Sequence, residues 1–263
     1  MMSDLPLAFS NAVTAALGLI FGSFANVVIA RLPEGKSVVR PGSHCPNCKK
    51  SIAWYDNIPL LSYLALGAKC RGCGKKISLR YPVVEAMMAL LFLAAKVRFG
   101  WDLLFFIRDI PFLFILVVIT FIDLDHRIIP DELSIGGLVL GLATTWAVPD
   151  LGWIQSVAGA AVGFGLFYGL AWSYQKYKGR MGLGGGDIKL LAMLGAFLGV
   201  QGVFTTILIS SIAGTLIGIL WAVATRQKNL MTSAIPFGPF LVIGGLYYYF
   251  FGDSLWLPFM TQT

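Results

Sequence analysis

Long apolar runs, separated by short turns of proline, glycine or charged residues, occupy most of this chain. A helix needs about 20 apolar residues to cross the hydrocarbon core of a bilayer, and several runs approach that length. The 263 residues are 57% apolar and 13% charged, whereas soluble domains carry about 25% charged residues. The chain has too little polar surface for a soluble protein, so we predict an integral protein of the lipid bilayer.

The apolar runs predict an all-α, polytopic membrane protein with about eight transmembrane helices. The first run, Leu5 to Ala30, contains no Lys or Arg and therefore does not resemble a cleavable signal peptide. Two boundaries are weak, because Arg108 and Asp109 lie within the third run and only the stretch 199–202 separates the sixth from the seventh. The seven later spans are predicted near residues 83–98, 104–122, 134–149, 153–174, 188–201, 203–224 and 235–251.

The positive charge of the chain lies mostly in one polar segment, from Arg31 to Arg80. Ten Lys and Arg residues oppose two acids there, a net charge of +8 against +7 for the whole chain. Nucleic acid could bind such a patch, but beside a membrane span the commoner cause is the positive charge of cytoplasmic loops. We therefore expect the N-terminus outside, this segment inside, and no nucleic-acid partner. The predicted domains are a first transmembrane helix at 1–31, a cytoplasmic basic domain at 32–82 and a transmembrane core at 83–263.

All four cysteines form two matching pairs within the basic segment, Cys45-Pro-Asn-Cys48 and Cys70-Arg-Gly-Cys73. Each pair can present two thiolates across a tight turn, and two such turns supply the four sulfur ligands of a structural zinc site. The flanks also repeat, each with a Lys-Lys pair followed closely by isoleucine. A redox pair and four unliganded thiols are the alternatives, although a reducing cytoplasm disfavours stable disulfides. We interpret His44 as a loop residue and not as a fifth ligand.

Acidic residues are concentrated in two short segments that the predicted topology places at the cytoplasmic face. The first segment, residues 121–132, includes Asp123, Asp125 and Asp131. An acidic loop with a helix-capping role explains Asp125 and Asp131 equally well. Asp123 adjoins an apolar run, where a carboxylate is costly and indicates a function.

The second acidic segment is a glycine run, residues 182–186, that leads through Asp187 into a hydrophobic helix. A flexible linker or an anion-binding nest of backbone amides would also use such glycines. A phosphate-binding P-loop is excluded, because no Gly-Lys-Ser/Thr follows. Gly184 and Gly186 would let a backbone or a substrate approach closely. Lys189 either pairs with a nearby carboxylate or reaches the lipid headgroups.

Two aspartates brought together at a membrane edge suit acid–base hydrolysis of a peptide bond. Like charges a few ångströms apart share a proton, so one carboxylate activates water while the other polarises the scissile carbonyl. A serine or cysteine nucleophile is disfavoured. The sequence has no Gly-x-Ser-x-Gly elbow, its cysteines are used in the two pairs, and neither of its two histidines lies near a plausible nucleophile.

Further motifs complete a set that extends from about residue 18 to 200. The set comprises Gly22 to Pro33, the two cysteine pairs, Arg80 to Glu85, Asp123 to His126 with Ile129 to Asp131, and Gly184 to Lys189, with Pro236 to Pro239 near the end. In content and order, these motifs resemble the bacterial type IV prepilin peptidase family.

The resemblance implies an inner-membrane aspartic protease of the Gly-x-Gly-Asp class. Such an enzyme cuts the short basic leader from type IV prepilins and type II secretion pseudopilins, then methylates the new N-terminal amine with S-adenosylmethionine. The resemblance implies Asp123 and Asp187 as the catalytic pair, and a zinc-type site at the four cysteines. Supporting roles are expected for Asp125, Gly184, Gly186 and Lys189. Candidates for binding the methyl donor are Asn26, Arg31, Arg80 and Glu85.

Two other classes of protein remain open from the sequence. A proton-coupled transporter would place its acids near the bilayer midplane and would contain repeated halves, whereas the acids here cluster at one predicted face. A zinc-bearing scaffold that anchors a secretion complex is the second alternative. For Glu85, the alternative role is a helix N-terminal acid favoured by the helix dipole.

Overall fold

The computed structural model describes residues 6–148, 151–179, 182–225 and 236–260 of the chain. Regular structure in these residues is helical, which confirms the predicted class, and β-pairing there is limited to two isolated bridges. The α-helices are α1 (Leu7–Arg31), α2 (Leu61–Ala65), α3 (Arg80–Phe99), α4 (Ile110–His126), α5 (Asp131–Thr144), α6 (Gly152–Lys178), α7 (Gly185–Thr225) and α8 (Gly238–Met260). A π-helix covers Phe105–Asp109, and 3-10 helices cover Leu32–Glu34, Trp54–Asn57 and Thr145–Ala147.

Within the described residues, four helical segments are long and apolar enough to cross a membrane, as judged by length and composition. These segments are Leu7–Glu34, Phe105–His126, Gly152–Lys178 and Gly185–Trp221. The chain packs as two compact units, Met1–Val118 and Ile119–Thr263. The four cysteines lie in the first unit, after α1, and both aspartates of the predicted pair lie in the second.

The first unit is built on close packing between α1 and α3. A Cβ atom on Gly22 would lie 2.5 Å from the Cα atom of Glu85, and one on Gly18 would collide with the backbone of Ala89. Glycines four residues apart on one helix face allow two backbones to approach closely, as in many membrane helix pairs. Because α1 and α3 pair directly, the polar segment between them is an insertion into a helical hairpin.

A buried lysine joins the other end of the same hairpin. Lys96, near the end of α3, is only 7% exposed. Its ammonium group donates hydrogen bonds to Ser10 Oγ at 2.6 Å and to Asn11 Oδ1 at 2.5 Å, both near the start of α1. Since a buried polar group is costly without partners, these contacts fix how α1 and α3 align.

The second unit is built around α7, which packs against α6 through glycine contacts. A Cβ atom on Gly163 would lie 2.6 Å from the carbonyl oxygen of Leu191, and Gly159 and Gly195 meet so closely that neither has room for a side chain. Ser156 of α6 also donates a hydrogen bond to the carbonyl of Ala196 at 2.6 Å. These contacts fix the position of the first half of α7.

Helix α7 reverses direction at Gly199, where the backbone is non-helical with φ 71° and ψ −176°. The first half (residues 185–198) runs parallel to α8, since Gly186 and Gly238 both approach Ile129 and Gly245 approaches Leu194. The second half (residues 200–225) runs antiparallel to α8. It pairs Gln201 with Tyr248, Thr206 with Gly244, and Gly214 with Phe240. The break predicted at 199–202 is therefore confirmed.

Some helix boundaries differ from those expected. The run predicted to span 134–149 gives an α-helix that ends at Thr144, and Thr145 begins a 3-10 turn. The hydroxyl of Thr145 donates to the carbonyl of Gly141 at 2.7 Å, a local bond that competes with helix continuation. Arg108 and Asp109 lie in the π-helix, so α4 begins after them, at Ile110.

Candidate active site and four-cysteine cluster

Asp123 lies in the last turn of α4 and is 5% exposed. Its Oδ2 atom accepts a hydrogen bond from the backbone N–H of Gly238 at 2.9 Å. Gly238 is the first residue of α8, and free N–H groups at a helix N-terminus favour a nearby carboxylate. The position of Asp123 therefore depends on where α8 begins.

Gly238 can approach this carboxylate only because it has no side chain. A Cβ atom there would lie 2.6 Å from Asp123 Oδ2 and 3.2 Å from Ile129 Cδ1. Gly238 lies within the Pro236 to Pro239 motif, but no role for it was predicted from the sequence. One sequence signal could have identified Gly238. It is a glycine at the start of a predicted helix, where a free backbone N–H can bind a buried aspartate.

Asp187 lies in the first turn of α7 and is partly buried. Two of the preceding glycines make space around it. A Cβ atom on Gly184 would lie 3.0 Å from Asp187 Oδ2, and one on Gly186 would lie 2.8 Å from Ile129 Cβ. A Cβ atom on Gly185 would meet nothing within 4 Å. The glycine run thus has one position that faces open space between two that are crowded.

Asp123 and Asp187 are brought together around Ile129. This side chain approaches both Gly186, next to Asp187, and Gly238, which binds Asp123. Two aspartates that are distant in sequence therefore share one site in the second unit, at the end of α4 and the start of α7.

The other acids of the first acidic segment are arranged around this pair. Asp131 does not cap its helix: Pro130 is the N-cap residue, and α5 has no side-chain cap hydrogen bond. Instead, both oxygens of Asp131 accept hydrogen bonds from Lys189, at 2.6 and 2.7 Å. Asp125 is exposed in the last turn of α4. The ion pair joins the start of α5 to the start of α7, so Lys189 pairs with a carboxylate, which was one of its two expected roles.

The four cysteines come together as predicted. The Sγ atoms of Cys45, Cys48, Cys70 and Cys73 all lie within 4.8 Å of one another, and those of Cys45 and Cys73 are 3.9 Å apart. A tetrahedral zinc site with Zn–S bonds of about 2.3 Å places its sulfur atoms about 3.8 Å apart. The donor set and its spacing therefore fit a four-sulfur metal site.

The two cysteine turns have the same local geometry. In the first turn, Cys45 N–H donates to the Lys50 carbonyl, and Lys49 has a positive φ of 59°. In the second, Cys70 N–H donates to the Lys75 carbonyl, and Gly74 has a positive φ of 68°. Isolated β-bridges close both turns, between His44 and Ser51 and between Lys69 and Lys76. The repeat seen in the sequence is thus a structural repeat, with His44 in the backbone bridge.

The thiols of this cluster influence one another. Backbone N–H groups of Cys48 and then Asn47 lower the pKa of the Cys45 thiol to about 6. The Lys75 N–H lowers the pKa of Cys73, but burial and contacts with the other thiols outweigh it and raise that pKa to about 11. Each thiolate therefore disfavours ionisation of the neighbouring thiols. All four cysteines would ionise near neutral pH only with a cation bound between them.

The first unit also contains a buried polar cluster between α1 and α3. The carboxylate of Glu85 accepts hydrogen bonds from the Leu60 N–H at 2.8 Å and from the Ser23 hydroxyl. Asn26 is 3% exposed, and its Nδ2 atom donates to the carbonyls of Gly22 and Tyr81. Its Oδ1 atom is buried without a hydrogen-bond partner. A buried amide oxygen without a partner is an unused acceptor for a bound group.

The two arginines among the methyl-donor candidates occupy different surroundings. Arg31 donates hydrogen bonds to the carbonyls of Ser37, Pro41 and Gly42, at 2.7–3.2 Å, so it holds the loop that follows α1. Arg80 is partly exposed at the first turn of α3. The structure therefore brings Asn26 and Glu85 to the helix interface and leaves Arg31 as a loop anchor.

Together, the fold and the paired aspartates define a helical membrane protein whose site suits acid–base hydrolysis. Residues 16–99 match the bacterial Peptidase A24 N-terminal domain, and residues 110–219 match the type IV leader peptidase family. The chain belongs to this bacterial leader peptidase family, which confirms the resemblance seen in the sequence.

Curated relatives agree with this assignment, and each of three carries the name prepilin leader peptidase/N-methyltransferase. A Myxococcus xanthus protein is 46% identical over 82% of this chain, and the match covers 64% of that relative, less than two thirds of its length. A Xanthomonas campestris pv. campestris protein is 37% identical over 92% of this chain and 91% of its own length. A Pseudomonas aeruginosa protein is 37% identical, with coverages of 95% and 93%. No solved structure matches the chain.

Proposed function

We propose that this protein is a membrane-embedded aspartic endopeptidase that removes the basic leader of type IV prepilins and type II secretion pseudopilins. The proposal includes a second activity, methylation of the new N-terminal amine with S-adenosylmethionine. The observation that carries the first activity is the shared site of Asp123 and Asp187. Relatives that match most of this chain have both activities in their names, which supports the pair of activities.

In the proposed mechanism, one aspartate is ionised and takes a proton from water, while the protonated partner donates a hydrogen bond to the scissile carbonyl. The water oxygen attacks the carbonyl carbon. The C–N bond then breaks, and the leaving amine receives a proton from the pair. The backbone N–H of Gly238 donates a hydrogen bond to Oδ2 of Asp123, so Oδ1 is the oxygen that contacts water or substrate. Because the two titrations belong to the pair, the roles are shared and not assigned to single residues.

The eight-span topology is part of the proposal. A single straight helix over the 37 residues of Gly185–Trp221 would be about 55 Å long at 1.5 Å per residue, well beyond a hydrocarbon core of about 30 Å. The reversal at Gly199 supports two crossings there. Together with α1, α3, α4, α5, α6 and α8, this gives eight spans in the bacterial inner membrane. The proposed insertion pattern is a first span at 1–31, a cytoplasmic domain at 32–82 and a membrane core at 83–263.

In this topology the cytoplasmic face contains both the cysteine cluster and the aspartates. The polar segment with net charge +8 would stay inside by the positive-inside rule. Asp123 lies in the last turn of α4 and Asp187 in the first turn of α7. In the proposed topology, both helix ends lie at the membrane edge and not at its midplane. This placement favours a peptidase over a proton-coupled transporter, and it places the site where a basic leader meets a hydrophobic helix.

We propose that Zn²⁺ is held by the four cysteines as a structural ion. The short S···S distances and the repeated turns support this ligand set. The ion would supply folding energy to a segment with little apolar core, because it crosslinks two distant turns. A zinc analysis of the purified protein under reducing conditions tests this, and protein that is intact but free of zinc would contradict it.

For the methyl donor, the proposed binding residues are Asn26 and Glu85. S-adenosylmethionine would supply the methyl group that is transferred to the new amine. The free Oδ1 atom of Asn26 is an acceptor for an N–H or O–H donor of the bound molecule, and the Glu85 carboxylate suits a positively charged group nearby. Arg80 stays a candidate at the edge of this cluster. Arg31 is proposed to act only through the loop that it holds.

The peptidase is tested with purified protein in detergent and a peptide that contains a basic leader followed by a hydrophobic helix. Asp123→Asn and Asp187→Asn should each abolish detectable cleavage, because either change removes one member of the pair. Glu132→Gln is the matched control, since Glu132 is an exposed acid in the first turn of α5. It should leave cleavage nearly unchanged. Full cleavage by both aspartate variants would contradict the proposal.

A further inference from the structure

A cavity of about 350 Å³, open on one side, lies between the second half of α7 and the start of α8, and Ser211 and Thr215 in its wall are exposed. Phe237, in its wall, directly precedes Gly238, the residue whose N–H binds Asp123. The cavity therefore adjoins the anchor of one proposed catalytic carboxylate. Among the described residues, its lining contains no ionisable side chain and consists of Ser211, Gly214, Thr215, Phe237 and Phe240.

The cavity also lies at about the membrane depth of the other aspartate. Asp187 precedes the reversal at Gly199 by about 18 Å of helix, and Gly214 follows it by about 22 Å, at 1.5 Å per residue. Because the two halves of α7 run in opposite directions, these distances bring Gly214 back to nearly the level of Asp187. Asp187 and the cavity thus lie at about the same depth within the second unit, and Asp123 is linked to the cavity wall through Gly238.

The walls of this cavity suit an apolar group. The hydroxyls of Ser211 and Thr215 donate to the helix carbonyls four residues earlier, each at 2.7 Å, so neither directs its proton into the cavity. The rings of Phe237 and Phe240 form the opposite wall. A volume of about 350 Å³ is within the range of about 300–1,000 Å³ that is typical of ligand clefts. An apolar side chain fits without leaving a polar wall atom unsatisfied.

Gly214 keeps this cavity open. A Cβ atom there would lie 3.7 Å from the Phe240 ring and 3.8 Å from the Phe237 ring, which is ordinary van der Waals contact. Helix packing therefore does not require glycine at this position. The absence of a side chain at Gly214 leaves the space empty, whereas at Gly238 it admits the Asp123 carboxylate.

We propose that this cavity binds the apolar side chain of the substrate residue that follows the scissile bond, and that Gly214 sets the size it accepts. The inference rests on the proposed peptidase function. A basic leader is matched by exposed acids such as Asp125, whereas a cavity whose described lining carries no charge suits the hydrophobic segment on the other side of the cut. The cavity then helps to align the scissile bond with the aspartates.

Two peptides that differ only in Phe or Ala after the cut test the inference. Gly214→Leu should lower kcat/KM on the Phe peptide about tenfold or more, mainly through KM, and on the Ala peptide by less than about threefold. Gly169→Leu is the matched control, because a Cβ atom on this α6 glycine meets nothing within 4 Å. It should leave both peptides unaffected. Ser211→Leu fills the same cavity from one turn earlier and should repeat the selectivity change if Gly214→Leu does not fold.

Equal losses on both peptides, or no loss on either, in a folded variant would overturn the inference. Failure of the unaltered protein to cut either peptide would instead overturn the proposed function. A benzophenone placed after the cut gives a second readout with Asp187→Asn protein, which should bind substrate without cutting it. Photolysis should crosslink it to peptides that contain residues 211–215 or 237–240. Crosslinks confined to the first unit would contradict the proposed cavity.

Discussion

The glycines around the two aspartates differ in what they contact, so their replacement by alanine should have unequal effects. A Cβ atom on Gly238 would lie 2.6 Å from Asp123 Oδ2, and one on Gly186 would lie 2.8 Å from Ile129 Cβ. Real Cβ contacts are essentially never this short, so the chain must shift. Gly185, between Gly184 and Gly186, has open space at the same position. The middle glycine should therefore tolerate alanine, although its neighbours should not.

The size of the effect follows from the contact that is lost. In Gly238→Ala, the start of α8 must move away from Asp123 and lengthen the 2.9 Å hydrogen bond. A hydrogen bond to a charged acceptor contributes about 1.5–3 kcal/mol, which corresponds to a loss of about 10- to 150-fold in kcat if the bond is needed in the transition state. Gly186→Ala displaces Ile129 and should lower kcat in the same range. Gly185→Ala should retain kcat and slightly raise the melting temperature, since alanine favours the helix by about 0.5–1 kcal/mol.

Cleavage kinetics of the purified variants, with circular dichroism to confirm folding, measure these effects. A lower kcat at nearly constant KM is expected for Gly238→Ala and Gly186→Ala, because the changes affect the aspartates more than substrate binding. A loss in Gly185→Ala as large as that in Gly186→Ala would refute the reasoning. It would mean that backbone flexibility of the glycine run matters, and not the space at particular positions.

Other variants test the remaining contacts. Lys189→Gln and Asp131→Asn should each lower kcat less than about fivefold, because an exposed ion pair contributes about 0.2–1 kcal/mol, and a double variant no worse than either single one would show that the two act as a pair. Cys45→Ser should reduce bound zinc, measured by elemental analysis, and lower the melting temperature; retention of a full equivalent would contradict the four-sulfur site. Glu85→Gln should abolish methylation of an already cleaved pilin while it retains cleavage, and equal loss of both activities would contradict a separate methylation site.

The lengths of the apolar runs and the spacing of the motifs were sufficient for the helices and for the cysteine cluster. Each predicted apolar run coincides with a helix or half-helix, because a run of bilayer length has few other ways to satisfy its backbone. The two cysteine turns were predictable for a related reason. Their ligand spacing and flanks are local, so the repeat in sequence becomes a repeat in geometry once the four thiols meet.

The contacts of the aspartates were only partly predictable. The topology predicted from the sequence places Asp123 and Asp187 at one membrane face, but the position of Gly238 at Asp123 depends on how α8 packs, which no local pattern encodes. Asp131 shows the same limit. Its place at the start of α5 suggested a cap, yet Lys189 from the distant α7 competes successfully for its carboxylate. Long-range partners override local propensity wherever a charged group can reach one.

The division of residues between the two units bears on how the proposed activities are related. Asp123, Asp187 and Gly238 lie in the second unit, whereas Asn26 and Glu85 lie in the first. The hydrogen bonds described above for Asn26 and Glu85 go to residues of the first unit, so Asp187→Asn protein should still methylate a pilin that has already been cut. Glu85 also holds the Leu60 N–H and thereby ties the cysteine segment to the α1–α3 hairpin. Loss of zinc should therefore impair methylation more than cleavage, because the ion stabilises the segment that Glu85 anchors.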